Sequence, residues 1–304
     1  MIHPYQTGDY ARSLAHWGEA LAVPEWGCHV ILRKIPIVAA SGAGAGVTDA
    51  SGTYPIAVID CDADLAGGLD RLRRLGLVSI TLVLDDFHRP PLDALRRHFT
   101  VVNPFKTHYI RRNALPFAYG KHHRYEIGRA SKRVTAGPLA LADHLSEWLA
   151  LYANLVGRHE LAGLYDFPPG HHETLHGLSA TMIGARAGGE LVSAHLWVSD
   201  GRYVHSHLAA SSGAGYQAGA AYAVYDASIR HFADSELLNF GGGAGTGDDP
   251  DDGLARFKRG FSNQRACAYV CGAVLDQARY ADLARQRGVA GDSAFFPIYR
   301  TGLT

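Results

Sequence analysis

Residues 237–261, LLNFGGGAGTGDDPDDGLARFKRGF, constrain this chain more than any other stretch. Leu237, Leu238 and Phe240 form a short apolar run, the mark of a buried strand. Gly241, Gly242 and Gly243 follow, where no side chain blocks close approach of a backbone or a ligand. Asp248, Asp249, Asp251 and Asp252 surround Pro250, the composition of a helix start. Leu254, Phe257 and Phe261 recur at helical spacing and predict the buried stripe, with Arg256, Lys258 and Arg259 crowding the same two turns. Strand, glycine turn, acidic cap and basic helix together suit an extended, anionic substrate. Neither G-x-x-x-x-G-K-[ST] nor G-x-G-x-x-G fits the glycines. Four carboxylates at the helix start would also repel a phosphate, so a bound phosphate meets the lysine and arginines. The plainer alternative is a tight strand–helix connection with a solvated basic face.

LNFGGG, a spacer and DGLARFKRGFS resemble the Gly-Gly-Gly…Phe-Lys-x-x-Phe element of FemAB-like acyltransferases in the GNAT superfamily, a group with peptidoglycan-bridge aminoacyltransferases and BioF2-like acetyltransferases. The resemblance runs back over roughly residues 120–275 and more loosely into the N-terminal half. It implies an α/β fold of two GNAT-like halves, each a mixed, largely antiparallel sheet flanked by helices, with a cleft between them. The expected division is residues 1–135 and 136–304. The implied reaction is transfer of an aminoacyl group from aminoacyl-tRNA to an amine, a peptidoglycan precursor or a small molecule. Acyl-CoA is the alternative donor; either would be a co-substrate, with no tightly bound cofactor. By the same resemblance Phe257 and Lys258 meet the donor's tRNA end.

The composition is compatible with this. Equal numbers of acidic and basic residues, 29 each, argue against a general nucleic-acid coat but allow a local basic groove. No run of 18 apolar residues occurs and the first residues do not form a signal peptide, so no membrane insertion and a cytoplasmic location are expected. Cys267 and Cys271 lie in one expected strand, about 13 Å apart, too far for a disulfide, and suit buried thiols. Oligomeric state has no sequence signal.

Along the chain, residues 7–22 predict a helix, Cys28–Val38 and Tyr54–Ile59 strands, and Ser41–Gly52 a glycine-rich loop. A helix near Asp62–Leu75, a strand at Val78–Leu84 and a helix near Pro91–Phe99 complete a mixed N-terminal half. Between Phe105 and Arg133 eight Lys and Arg face one acid, Glu126. Lys121, Arg124, Arg129 and Lys132 are the candidates for binding phosphate on an acceptor or a tRNA end; a solvated basic face is the bland alternative. Leu139–Leu155 predicts an amphipathic helix.

His172-Glu173-Thr174-Leu175-His176 matches H-E-x-x-H, a zinc-hydrolase signature, but lacks any third-ligand continuation. Leu178–Arg186, Glu190–Val198 and Tyr203–Ala210 predict a meander. Alternation puts Tyr203, His205 and His207 on one face, candidates for acceptor binding and for acid–base work. A satisfied polar face is the alternative. A helix over Tyr216–Ala233, the strand at Leu237–Phe240, a strand at Ala266–Val274 and a helix at Gln277–Gln286 follow, in the GNAT order. The Ser211–Gly215 loop lacks the acyl-CoA pattern Gln/Arg-x-x-Gly-x-Gly/Ala. The candidate catalytic groups are His205, His207 and Lys258. Donor binding falls to Phe257, Lys258, Arg256 and the amides of Gly241–Gly243.

Overall fold

The computed structural model describes residues 2–36, 46–159, 163–178, 180–245, 247–289 and 295–302. Its strands are β1 (Glu19–Val23), β2 (Cys28–Lys34), β3 (Thr48–Ser51), β4 (Ser79–Asp85), β5 (Val101–Arg112), β6 (Thr135–Leu139), β7 (Thr181–Ala187), β8 (Glu190–Ser199), β9 (Tyr203–Ser211), β10 (Leu237–Asn239) and β11 (Gln264–Val274). The helices are α1 (Gly8–Ser13), α2 (Leu65–Arg74), α3 (Leu92–His98), α4 (Lys121–Ala130), α5 (Leu145–His159), α6 (Pro169–Gly177), α7 (Gly213–Ala218), α8 (Ala220–His231), α9 (Gly253–Arg259) and α10 (Gln277–Gln286).

The chain forms two compact units, one of Tyr5–Phe105 with Cys267–Thr304 and one of Met1–Pro4 with Lys106–Ala266. These do not follow a division at residue 135. The cause is strand pairing: β11 runs antiparallel along β4, from Ala268 opposite Asp85 to Val274 opposite Ser79, and carries the C-terminal residues into the first unit.

In that first unit the strand order is β1-β2-β3-β4-β11, antiparallel except where β3 meets β4. Helix α2 starts where the Asp64 carboxylate accepts the Gly67 N–H, and buries Leu65, Leu69 and Leu72 at helical spacing. Opposite each other in β2 and β3 stand Arg33 and Asp49. Asp49 is fully buried and holds the Arg33 Nε at 3.1 Å, the Arg300 guanidinium at 2.9 Å and the Tyr299 hydroxyl at 3.0 Å. The C-terminal turn Ile298–Arg300 is thereby tied to the sheet.

The second unit has the order β5-β10-β9-β8-β7-β6, antiparallel except between β10 and β9. Trp197 of β8, Tyr225 of α8, Phe240 and Phe261 are sealed in its core. The meander, α8, β10, α9 and β11 occur in the expected order. Several local expectations differ. Residues 7–22 hold α1 and then β1, because Leu14–Gly18 turn the chain back. Residues 54–59 form no regular strand. The segment 139–155 divides into the end of β6 and α5, and the helix expected over 216–233 is two helices broken at Gly219, whose φ is +69°. Of the glycine-rich loop, residues 41–45 lie outside the described residues and Thr48–Ser51 is β3. Cys271 is buried, Cys267 only partly, and Cys61 is exposed.

Candidate functional site

The site lies at the C-terminal end of β10, where the strand gives way to the glycines. Asn239 is buried there and fixes the turn with both ends of its amide: Oδ1 accepts the Gly241 N–H at 2.9 Å, which leaves Nδ2 to donate to His108 Nδ1 at 3.1 Å. Gly241 has φ +72°, a conformation that favours glycine. Its carbonyl accepts from the Tyr109 N–H at 3.1 Å. The next two carbonyls each receive a lysine: Lys258 Nζ donates to Gly242 at 2.7 Å and Lys106 Nζ to Gly243 at 3.0 Å. A Cβ on Gly242 would stand 2.9 Å from the Lys106 side chain, so the close approach requires glycine. Among the described residues, the N–H groups of Gly242 and Gly243 make no hydrogen bond.

The aspartates fasten this loop. Asp252 caps α9, accepting from Ala255 N–H and Ala244 N–H at 2.9 Å each, and these bonds hold its carboxyl below its usual pKa. Asp248 accepts from the Thr107 amide and hydroxyl at 3.0 and 2.8 Å. The acidic run is therefore a structural clasp.

Helix α9 is turned differently from the expected stripe. Ala255, Lys258 and Phe261 face inward, whereas Leu254 is 39% exposed and Phe257 only partly buried. Lys258 is among the buried residues, 8% exposed. Burial first, and then the Lys106 charge, bring its pKa down to about 7 against the opposing pull of Asp252. Near neutrality this side chain divides between ammonium and amine. Phe257 packs its ring against Tyr222 and Tyr225 at 4.9 and 4.8 Å, and its carbonyl accepts from His123 Nε2 at 2.9 Å. Arg256 is exposed.

The histidines of β9 are buried. His205 stands opposite Asn239 of β10, level with the glycine turn. His207 sits in a bulge: Leu196 pairs with Leu208 and Trp197 with Ser206, leaving His207 with no residue opposite. Strict alternation, which would align it with His205 and Tyr203, is interrupted there. Its Nε2 lies 3.3 Å from His171 Nε2, and burial, aided by His172, pushes its pKa to about 3. Tyr203 lies at the other end of β9, opposite Leu237, under the Arg202 guanidinium at 4.7 Å.

A further group had no sequence signal. His195 of β8 is 1% exposed, stacks on Trp197 at 4.0 Å and bonds Ser206 through Nε2 at 2.8 Å. Burial first, then the charges of Lys258 and His207, hold it neutral. A cross-strand His–Ser pair is visible only once the bulged register is known.

The basic tract divides. Lys121, Arg124 and Lys132 are exposed, and Lys132 falls in the turn after α4. Arg129 pairs with Glu126 at 2.9 Å and lies 3.3 Å from where a Cβ on Gly219 would stand; Arg133 donates to the Gln217 carbonyl at 3.0 Å. Two cations of the tract thus stand at the start of α8. The H-E-x-x-H residues are not brought together as ligands. His172 is buried with its Nδ1 lone pair accepting from the Trp148 indole at 3.0 Å, and burial lowers its pKa to about 4, whereas Glu173 and His176 are exposed.

Residues 121–259 match the acetyltransferase (GNAT) domain. No curated protein matches the chain in sequence. Among solved structures, the chain is similar to the C-terminal domain of a protein described as a lysylphosphatidylglycerol synthetase from Agrobacterium fabrum, with TM-score 0.62, 12% identity, 95% of this chain and 94% of that one covered. It is similar to FemX at TM-score 0.61 and 13% identity, covering 92% and 95%. It is also similar to L-PGS from Bacillus licheniformis at 0.58 and 11%, covering 94% and 98%. Residues 121–259 are thus similar to a GNAT domain, and the chain as a whole shares its fold with FemX. Among the described residues no helix is long and apolar enough to cross a membrane.

Proposed function

We propose that this protein forms an amide by transferring an aminoacyl group from aminoacyl-tRNA to an amine acceptor. The observation that carries the reading is Lys258, buried beside the glycine turn with, among the described residues, only a backbone carbonyl as its hydrogen-bond acceptor. A buried cation on one carbonyl is costly to keep unless a better partner arrives. In this reading the ammonium exchanges the Gly242 carbonyl for the donor's terminal phosphate or ribose, with Phe257 and Arg256 beside it.

In the chemistry, the neutral acceptor amine attacks the donor's ester carbonyl. The N–H groups of Gly242 and Gly243 receive the developing oxyanion. A carbon–nitrogen bond forms, the ester carbon–oxygen bond breaks, and the amine's proton passes to the departing ribose oxygen. His205, level with the turn, is the relay in this reading, while His207 faces His171 and walls the acceptor side. The fold shared with FemX and the synthetase of an aminoacylated lipid supports an aminoacyl donor.

One observation favours a second reading. Arg129 and Arg133 gather at the α8 N-terminus, beside Gly219. An acyl-CoA pyrophosphate or a nucleotide-linked acceptor suits that position. The test is transfer from radiolabelled aminoacyl-tRNA, against labelled acetyl-CoA, into a pool of small amines and nucleotide-linked peptides. Label moving from tRNA alone is expected. Label moving from CoA alone overturns the donor assignment, and no transfer from either overturns the activity.

A further inference from the structure

Lys258 is placed as a nucleophile as well as a cation. Its Nζ donates to the Gly242 carbonyl at 2.7 Å, and a Cβ on Gly241 would stand 3.6 Å from it. The nitrogen thus touches the backbone on both sides of the Gly242 N–H, which has no hydrogen-bond partner among the described residues. An acyl carbonyl whose oxygen sits on that N–H presents its carbon to the lysine, whose attack needs an approach of about 3–3.5 Å.

Attack also needs a lone pair, which an ammonium lacks. Burial and the neighbouring Lys106 charge favour the neutral amine. The groups facing Lys258 are Lys106 from β5, His195 from β8 and Asp252 from the cap of α9, and of these Asp252 favours the ammonium. A neutral amine still has an N–H for the Gly242 carbonyl, which leaves its lone pair for an electrophile. Lys106 differs. It is only partly buried, its Nζ donates to the Gly243 and Ala244 carbonyls at 3.0 and 3.4 Å, and Asp248 and Asp252 both support its charge.

We propose, resting on the aminoacyl-tRNA reading above, that Lys258 is a self-modification site, which takes the acyl group from the bound donor when no acceptor amine is present. The bond from Nζ to the carbonyl carbon forms and the ester carbon–oxygen bond breaks. The proton lost by the nitrogen goes to the departing ribose oxygen, and an amide is left on the side chain. That amide carries no charge and is too stable to pass the group on, so the modified protein is inactive. Acceptor and Lys258 compete for one acyl group, and turnover stops where donor accumulates without acceptor.

The test is intact-protein mass spectrometry with peptide mapping, after incubation with tRNA carrying a labelled amino acid, with and without the pool of small amines and nucleotide-linked peptides. One added aminoacyl group is expected on Lys258, with activity lost in proportion and both effects suppressed by the pool. With donor well below KM the labelling rate follows the free protein, and for a pKa of about 7 it should be about tenfold faster at pH 8 than at pH 6. Lys258→Arg, permanently protonated, should take no label at this position. Should that variant fail to fold, the map of the wild-type protein still locates the label. Label on Lys106, label spread over exposed lysines, or equal rates at pH 6 and 8 overturn the assignment. Transfer into the pool with an unlabelled protein overturns self-modification and leaves the donor reading standing. No label from tRNA in either protein or pool overturns both. Label reaching Lys258 from labelled acetyl-CoA and not from tRNA supports the modification and overturns the donor.

Discussion

Lys258 and Asp49 are both charged side chains removed from water, one in each compact unit, and their surroundings are opposites. Asp49 is saturated: two guanidiniums and a tyrosine hydroxyl converge on its carboxylate, and the Ser79 hydroxyl lies 2.7 Å from that tyrosine. Lys258 has one carbonyl, a second lysine nearby that repels it, and, among the described residues, no carboxylate within ion-pair distance. Burial with complete compensation fixes a fold. Burial without it stores an interaction for something that comes later, the arrangement expected of a functional group.

The largest effect tests the compensated side of this contrast. Asp49→Ala leaves Arg33 and Arg300 facing each other without their shared anion, and should cost about 3–5 kcal/mol in denaturant unfolding. A loss below about 1 kcal/mol would show that the cluster is not what ties the C-terminal turn down. Lys258→Met should behave in the reverse way. Transfer from the true donor should fall by a charged contact of about 2–3 kcal/mol, roughly 30- to 150-fold. Its stability at pH 7 should not decrease, since a desolvated cation has been replaced by an apolar side chain of similar length. An unfolded Lys258→Met protein would make Lys258 as structural as Asp49.

A pH series sharpens the same contrast. In the unfolded chain Lys258 keeps its proton to near pH 10.5, while in the folded protein it releases it at about 7. Between those values the unfolded state binds more protons, so folding stability gains with rising pH. Below about pH 7 both states are protonated and the penalty of burying the cation is fully present. The difference in unfolding free energy, wild type minus Lys258→Met, should therefore climb from pH 7 to 10. A flat difference would mean that the ammonium is solvated in the folded state.

How much of this was legible in the sequence differs by residue. The end of β10, the three glycines and the Asp252 cap could be found because each rests on a local signal: an apolar run, a missing side chain, a carboxylate before a helix. The phase of α9 could not. Leu254, Phe257 and Phe261 are spaced for a helix, but so are Ala255, Lys258 and Phe261, and hydrophobicity alone prefers the first set. The second is buried because Tyr222 and Tyr225 of α8 meet Phe257 from the side, and because Lys258 reaches back to Gly242. His195 was hidden for a related reason: its partner Ser206 lies across a bulge that changes which residues face each other. His172 and His176 show the converse. A motif's spacing was present, but His172 is buried against the Trp148 indole while Glu173 and His176 are exposed.

The smallest expected effect concerns Lys106. If the protonated Lys258 binds the donor, kcat/KM for the donor should fall as pH rises through about 7, because that profile reports groups of the free protein. Lys106 is the second cause of the depressed pKa, after burial, and acts by like-charge repulsion. Lys106→Met removes that repulsion while leaving Lys258 buried, so the falling limb should move upward, by less than about one unit given that desolvation remains. The substitution also releases the Gly243 carbonyl that Lys106 holds, so the melting temperature is followed alongside. A limb that stays in place would separate the two lysines electrostatically and leave burial as the whole cause. A limb that moves downward would mean that Lys106 shields Lys258 from a larger positive neighbour, and Arg256 and Arg259 on the same helix would then be the groups to neutralise next.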